Sequence, residues 1–239
     1  MIPYRCSRRS LTIKSAFTSK AFFEAGRSPI RLKIDLHVHT TGSDDSFVEP
    51  EQLPVILKKR GLDGVAITNH DSLTEVSSSE TIRIPGIEVS TRQGHIIGLG
   101  VSDPIAKGRT ADETIALIHA VGGVAIVPHP FDPISPCVDP LKLTSRPEAI
   151  ETINSDALFF YFNKRLAERV ARQIGLPMVA GSDAHIPETV GDAYTLVDSN
   201  SRSVDDILCA IRTGSVQPAG GPTSLGKKLL KVGRKLRRG

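Results

Sequence analysis

Residues 33–39 read Lys-Ile-Asp-Leu-His-Val-His, an apolar run that ends in two alternating histidines. Residues two apart on a β-strand project to the same face, so His37 and His39 are predicted to point together, with the aliphatic residues between them facing the opposite side. A histidine pair on a surface strand would show the same spacing, which leaves that alternative open. The loop that follows, Gly42-Ser43-Asp44-Asp45, is able to fold Asp44 back towards the imidazoles.

Further along the chain, short clusters again pair histidine with a turn or a carboxylate. These are Thr68-Asn69-His70-Asp71, Glu88 with His95, Pro128-His129-Pro130 and Gly181-Ser182-Asp183-Ala184-His185. Neutral imidazole suits zinc, manganese and iron, and a carboxylate can bridge two cations. No cysteine lies in any cluster, which argues against a thiolate-bound structural zinc. Together the clusters predict the multinuclear metal site of a metal-dependent hydrolase.

The clusters differ in how strong a signal each gives. Glu88 lies in an otherwise apolar strand, where a buried carboxylate is costly unless it is paired or metal-bound, although an edge strand would also accommodate it. The prolines that flank His129 fix its backbone and aim its ring. His95 stands at the start of a strand and gives the weakest local signal. His119 lies in the middle of a predicted helix and is interpreted as structural or exposed.

Two positions keep alternative readings. Asp71 either orients His70 through the second ring nitrogen or caps a helix. Asp183 and His185 repeat the alternation of the first histidine pair, and the preceding Gly181 would let a metal or substrate approach the backbone closely.

The chain alternates apolar runs with helical stretches. Strands are predicted at residues 33–38, 64–68, 82–89, 94–99, 124–127, 149–153, 177–180 and 193–197, and helices at 50–60, 111–121, 159–174 and 203–212. Most clusters follow the end of an apolar run, where α/β folds place catalytic groups. A barrel brings all such ends to one rim, whereas an open sheet would spread them over several strand widths. The prediction is therefore an α/β barrel, distorted or seven-stranded, with the metal site at the C-terminal rim of the strands.

The composition is compatible with one large domain. The 239 residues are 39% hydrophobic and 23% charged, and no run approaches the length of a membrane span. The three scattered cysteines favour a reducing compartment. We predict a domain at residues 33–222, a basic and flexible N-terminal extension at 1–32 and a basic C-terminal tail at 223–239.

The net charge of +4 conceals two strongly basic ends. The N-terminal extension is typical of a disordered arm or of an organelle transit peptide. The predicted location is cytoplasmic, and an organellar location is the alternative if the extension is a transit peptide. The C-terminal tail is either a short amphipathic helix that touches anionic lipid or nucleic acid, or a frayed, solvated segment. Weak polyanion contact through these ends is the expected role.

The motifs in this order resemble the PHP (polymerase and histidinol phosphatase) domain over residues 33–200, and the likeness is greatest to its small stand-alone, TrpH-like branch of phosphoesterases and 5′-3′ exonucleases. The segment Ile150-Glu151-Thr152-Ile153-Asn154 and Asn163 also resemble that branch. The resemblance implies a distorted (β/α)₇ TIM-like barrel with two or three divalent ions, Mn²⁺, Zn²⁺ or Fe²⁺. Only 33 residues separate His95 from His129, where several nucleotide-acting relatives carry an inserted subdomain.

The resemblance also implies a set of ligands for each ion. The first ion would be held by His37, His39, Glu88 and Asp183, the second by Glu88, His95 and His129, and the third by Asp44, His70 and His185. Glu88 and Asp183 would thus also be catalytic, and Arg92 is a candidate phosphate clamp or else a surface charge.

The predicted activity is hydrolysis of phosphate esters of nucleotides or nucleic-acid 5′ ends by a metal-bound hydroxide. One alternative is a phosphatase for small metabolites similar to histidinol phosphate. Another, from a different class, is a non-catalytic module that holds metal and docks through its basic ends.

Overall fold

The structure, a computed structural model, describes residues 28–74 and 81–238. Its strands are β1 (Ile30–Val38), β2 (Gly64–His70), β3 (Ile82–Ser90), β4 (His95–Leu99), β5 (Val124–Val127), β6 (Ala149–Asn154), β7 (Met178–Gly181), β8 (Ala193–Ser199) and β9 (Val216–Gly220). Its helices are α1 (Leu53–Arg60), α2 (Ala111–Ala120), α3 (Phe160–Ile174), α4 (Val204–Thr213) and α5 (Leu225–Arg238). None of the helices in these two ranges is long and apolar enough to span a membrane.

The strands form a nearly closed, distorted barrel. They follow the order β7-β6-β5-β4-β3-β2-β1-β8-β9. The β1–β2, β2–β3, β5–β6 and β6–β7 pairs are parallel, whereas β4 runs antiparallel to both of its neighbours. The chain after β7 closes the ring, because the amide of Asp183 donates to the His37 carbonyl and the amide of His39 donates to the Ala184 carbonyl.

Aliphatic side chains fill the barrel beneath the rim. One buried cluster takes residues from each of the first seven strands, including Leu32, Ala66, Ile84, Ile97, Ile126, Ala149 and Val179. Helices on the outside shield the opposite faces of the strands, as where Val38 packs in a cluster with Leu53 and Leu57 of α1. This packed interior supports the strand ends from below.

The predicted barrel and its eight strands are confirmed, but β9 was not predicted, and the bounds of some elements differ. The predicted helix at 50–60 opens as a 3₁₀ turn over Pro50–Gln52 before α1 begins. β1 starts at Ile30 and pairs with β8 from there, so residues 30–32 belong to the barrel and not to a flexible extension. The rest of that predicted extension, residues 1–27, lies outside the described residues. The predicted C-terminal tail contains a helix, α5.

Candidate metal centre

The first histidine pair is aimed by an irregularity in β1. Leu36 packs into the barrel interior while Val38 packs outward, and the pairing of β1 with β2 shifts register between Asp35 and Val38. Such a shift re-aims side chains relative to a regular strand. It brings His37 and His39 together at the rim, both fully buried, with their Nε2 atoms 3.2 Å apart. The prediction that both intervening aliphatic residues face away from the histidines is therefore wrong for Leu36, which lies in the interior.

Glu88 stands at the centre of the site. It lies two residues before the end of β3, in register with His70 of β2, and its carboxylate is almost fully buried. One oxygen, Oε2, lies 3.4 Å from His37 Nε2, 3.2 Å from His39 Nε2 and 3.2 Å from His70 Nδ1. The other, Oε1, lies 2.9 Å from His95 Nδ1 and 3.0 Å from His129 Nε2. The two oxygens thus face two different sets of imidazoles, as a carboxylate that bridges two cations must.

His95 reaches the rim because of the direction of its strand. β4 is antiparallel to β3, so its first residue lies at the end where the parallel strands finish, and His95 pairs with Ser90 there. A position that gives a weak signal in the sequence is therefore at the same rim as the others.

Two ligand candidates occupy backbone conformations that non-glycine residues rarely adopt. In the described part of the chain, the non-glycine residues with positive φ are Asp71 (52°), His129 (30°) and Asp183 (54°), and each follows a strand end at the rim. Such conformations cost about 1–3 kcal/mol each and persist where the surrounding structure enforces them, most often at functional sites. The strain is concentrated around the histidines.

Asp183 and His185 complete the cluster from the loop after β7. Asp183 Oδ1 lies 3.4 Å from His37 Nε2 and 3.3 Å from His39 Nε2. The ring of His185 stacks on that of His39 with 4.2 Å between centroids. Gly181 has a different role from the predicted one: a Cβ there would lie 2.3 Å from the Cβ of His37, so the glycine lets β7 pack against β1.

The ligand atoms are close enough to hold several cations. Four triads have one potential ligand atom per residue, all within 4.8 Å of one another: His37/His39/Asp183, His37/Glu88/His129, His70/Glu88/His95 and His39/His70/His185. Imidazole and carboxylate donors of this kind suit Zn²⁺, Mn²⁺ or Fe²⁺. Asp45 Oδ1 and His129 Nδ1 are buried without a hydrogen-bond partner in the described residues, and a cation at the rim would satisfy such an orphaned oxygen. The residues present therefore fit a multinuclear metal centre.

Three predicted site residues, Asp44, Arg92 and Asp71, lie away from their expected positions. Asp44 is exposed, and its neighbour Asp45 instead approaches His185 Nε2, with its Oδ2 atom 3.1 Å away. The turn buries Ser43 against His39 and so directs Asp44 to solvent. Arg92 is also exposed, and its Nε donates to the carbonyl of Gly108.

Asp71 follows neither of its two predicted readings. Its Oδ1 accepts a hydrogen bond from the Ser90 amide at 2.7 Å, which ties the end of β2 to the end of β3. Its Oδ2 lies 3.7 Å from the Lys107 ammonium. Among the described residues it caps no helix and makes no hydrogen bond to His70. His119 lies on α2, outside the cluster, and pairs with Glu148 at 2.9 Å.

Sequence reasoning assigned no role to two carboxylates that support the cluster. Glu151 of β6 accepts from His37 Nδ1 at 3.0 Å and from the His129 amide at 2.9 Å. Asp35 accepts from the amides of Ser182 and Gly191, which fixes the loop that carries Asp183. Both carboxylates are buried. An acid inside an apolar strand, the signal that identified Glu88, is also present at both positions.

The carboxylates and imidazoles shift one another's proton affinities. Burial alone would lower the pKa of His37, but the charges of Asp183, Glu151 and Glu88 outweigh it and hold that pKa well above its usual range. Burial alone would raise the pKa of Glu88, yet the surrounding imidazoles, with His37 first, keep it well below its usual value. Burial lowers the pKa of His70 to about 4, and burial raises that of Asp35 to about 6. Without cations the site therefore holds protons on its central histidines.

Residues 162–216 match the model of a family described as PHP-associated. Uncharacterized protein MJ1587 of Methanocaldococcus jannaschii is 36% identical over 120 residues, which cover 43% of this chain and 70% of that protein.

Two solved structures share the fold. One is a two-domain protein from Bacteroides vulgatus that contains a predicted PHP-like metal-dependent phosphoesterase, with a TM-score of 0.64 and 19% identity over 81% of this chain and 66% of that one. The other is the lesion-specific endonuclease PfuEndoQ from Pyrococcus furiosus, with a TM-score of 0.62 and 16% identity over 80% of this chain and 59% of that one. This chain thus spans slightly less than two thirds of either structure.

Proposed function

This chain belongs to the PHP family, and we propose that it is a metal-dependent phosphoesterase that hydrolyses phosphate esters of nucleotides or of nucleic-acid 5′ ends. The observation that carries the proposal is Glu88, whose two oxygens face different imidazole sets within one buried cluster. The nucleic-acid part also takes support from the fold shared with a lesion-specific endonuclease.

The ligand assignment that the contacts favour has three sets. His37, His39 and Asp183 would hold one cation, and Glu88 would link it to a second held by His95 and His129. His70 and His185 would hold a third, with Asp45 in place of the predicted Asp44. Paired cations in such sites clamp phosphoryl oxygens and provide a hydroxide nucleophile at neutral pH.

The protein's own groups would prepare the site for this chemistry. Glu151 can only accept a hydrogen bond when ionised, so it fixes the proton of His37 on Nδ1 and leaves Nε2 free as a ligand. Asn154 donates to both Glu151 and Asp183 and so holds the two carboxylates in one arrangement. Because the histidines and carboxylates are buried and mutually fixed, little reorganisation is needed when a phosphate ester binds.

A panel of phosphatase and nuclease substrates tests the proposal on protein reconstituted with manganese or zinc. We expect release of phosphate or of terminal nucleotides, and we expect His37→Ala and Asp183→Ala to abolish it. Equal activity in these variants would show that a contaminant is responsible. Metal-loaded protein that hydrolyses no phosphomonoester or phosphodiester would refute the proposal and favour a binding module.

A further inference from the structure

Helix α5 lies on the barrel with its charged face inward. None of its residues is buried, and its leucines and valine, at positions 225, 229, 230, 232 and 236, are between 41% and 78% exposed. Its lysines and arginines instead contact acidic side chains and carbonyl groups of the barrel. This reversal of the usual amphipathic arrangement indicates that the helix is held by charge and not by a hydrophobic face.

Lys231 is the most enclosed cation of the helix at this surface. Its side chain is 19% exposed and forms an ion pair with Asp156, in the loop after β6. Burial alone would lower the pKa of Lys231, but Asp156 outweighs that effect, and the charges of Asp183 and Asp45 raise it further. The amide of Asp156 donates to Asn154 Oδ1, and Asn154 Nδ2 lies 3.2 Å from Asp183 Oδ2, so the ion pair adjoins the metal cluster.

Lys235, one helical turn after Lys231 in α5, also approaches the metal cluster. Its ammonium lies 3.0 Å from Asp45 Oδ2, the atom that is 3.1 Å from His185 Nε2. Residues four apart share a helix face and are separated by about 6 Å along the axis. Lys231 and Lys235 thus form a pair of ammonium groups directed at one side of the centre.

These two lysines can bind a further anion. An ammonium has three donors, and each lysine spends one on its carboxylate partner. Arg92, the cation expected from the sequence to clamp phosphate, is exposed, and its Nε donates to the Gly108 carbonyl. A terminal phosphate carries close to two negative charges at neutral pH, and the remaining ammonium donors can give it charge-assisted hydrogen bonds.

We propose that Lys231 and Lys235 form a phosphate-recognition site at the edge of the metal centre, which selects substrates with a terminal, dianionic phosphate. The proposal rests on the proposed function and deepens it, since it assigns the recognition of the substrate's phosphate to α5. The lysines act as positioning and specificity residues beside the cations.

The competing explanation is that α5 is only docked here, and the helix itself offers the control. Lys227 pairs with Asp192 and Arg234 pairs with Glu188, so both make ion pairs of the same kind. Neither acid contacts a ligand candidate among the described residues. If the lysines serve only to dock the helix, Lys227→Gln and Arg234→Gln should have the same effect as Lys231→Gln and Lys235→Gln.

The test is equilibrium binding of inorganic phosphate to manganese-loaded protein by calorimetry, which needs no turnover. Circular dichroism and manganese content are measured for every variant first. We expect Lys231→Gln and Lys235→Gln each to weaken phosphate binding by about tenfold or more, the value of a charge-assisted hydrogen bond. Lys227→Gln and Arg234→Gln should stay within about twofold of wild type, because their partners Asp192 and Glu188 are not ligand candidates.

Conservative variants keep the test decisive if a glutamine variant fails to fold. Lys231→Arg and Lys235→Arg retain the charge and should bind phosphate within about threefold of wild type. Dimethyl phosphate, which carries a single charge, should compete poorly with inorganic phosphate for wild type and for the control variants. It should compete relatively better for Lys231→Gln and Lys235→Gln, which lose the preference for a dianion.

The two proposals fail separately. Equal weakening by the lysine variants and by the control pair, or loss of phosphate binding in the arginine variants, would overturn the recognition site even in an active phosphoesterase. Selective weakening in a protein that hydrolyses no ester would support the recognition site and refute the proposed function. A wild type that binds no phosphate would overturn the recognition site outright.

Discussion

Replacement of Glu151 by glutamine should damage the metal centre without removing any ligand. Glu151 Oε1 faces His37 Nδ1, while Oε2 accepts from the His129 amide and from Asn154 Nδ2, both at 2.9 Å. A glutamine has only one oxygen. If that oxygen keeps the two bonds made by Oε2, the amide group must face His37 and donate to its Nδ1. The proton of His37 is then moved to Nε2, the atom needed for a cation.

The size of the effect follows from what is lost. The bond from His37 is buried and charge-assisted, so its loss costs about 1.5–3 kcal/mol. Residues that orient metal ligands typically contribute about 10- to 100-fold in metal affinity, which corresponds to the same range. We therefore expect Glu151→Gln to weaken manganese binding by about 10- to 100-fold, with phosphoesterase activity recovered only at a higher manganese concentration.

Glu148→Gln is the matched control for this variant. Glu148 Oε2 accepts from a histidine, His119 Nε2 at 2.9 Å, and from a backbone amide, that of Ala125 at 2.8 Å. The chemical change and the hydrogen-bond types are thus alike, but His119 lies outside the site. Metal affinity is measured by competition with a fluorescent chelator. If manganese affinity falls by the same factor in both variants, or if it falls in neither, Glu151 does not support metal binding through His37.

Four further measurements test other parts of the same geometry. Carboxylates raise the pKa of His37, and hydrogen bonds to Cys137 and Glu88 raise the pKa of His129, so cations must displace protons. Manganese affinity should therefore rise with pH through neutrality, and calorimetry in two buffers should show at least one proton released at pH 7. Uptake of manganese that does not depend on pH would contradict this. The raised pKa values also stabilise the metal-free protein fully below pH 6.5, the ordinary histidine value, so its melting temperature should fall as pH rises through the folded-state pKa values. Asp45→Asn should lower the number of bound ions measured by elemental analysis, whereas Asp44→Asn should not, and the reverse result would restore the ligand set expected from the sequence. Gly181→Ala should destabilise the protein by about 1–3 kcal/mol in chemical denaturation, because its Cβ would overlap His37 and Glu151, whereas Gly221→Ala, which meets open space, should be neutral.

Much of the site could be predicted because its members follow strand ends. His70, Glu88, His129 and Asp183 each come at the end of an apolar run, and a barrel brings such ends together. His95 could not be placed this way. Its position depends on β4 running antiparallel, which is a property of strand pairing and not of local sequence.

Hydrophobic periodicity could not predict the features that depend on loop conformation or on the docking of a helix. Which of Asp44 and Asp45 turns inward depends on how the turn buries Ser43. β9 was missed because its sequence, Val-Gln-Pro-Ala-Gly, lacks alternation and contains a proline. The docking of α5 was not predictable either, because its partners are four acids from three separate loops.

Anomalous diffraction from crystals of manganese-loaded protein locates the cations directly. We expect at least two strong peaks that share Glu88, one beside His37, His39 and Asp183 and the other beside His95 and His129. A manganese-saturated protein with no peak at Glu88, or with one ion that contacts only a single set of imidazoles, would contradict this arrangement.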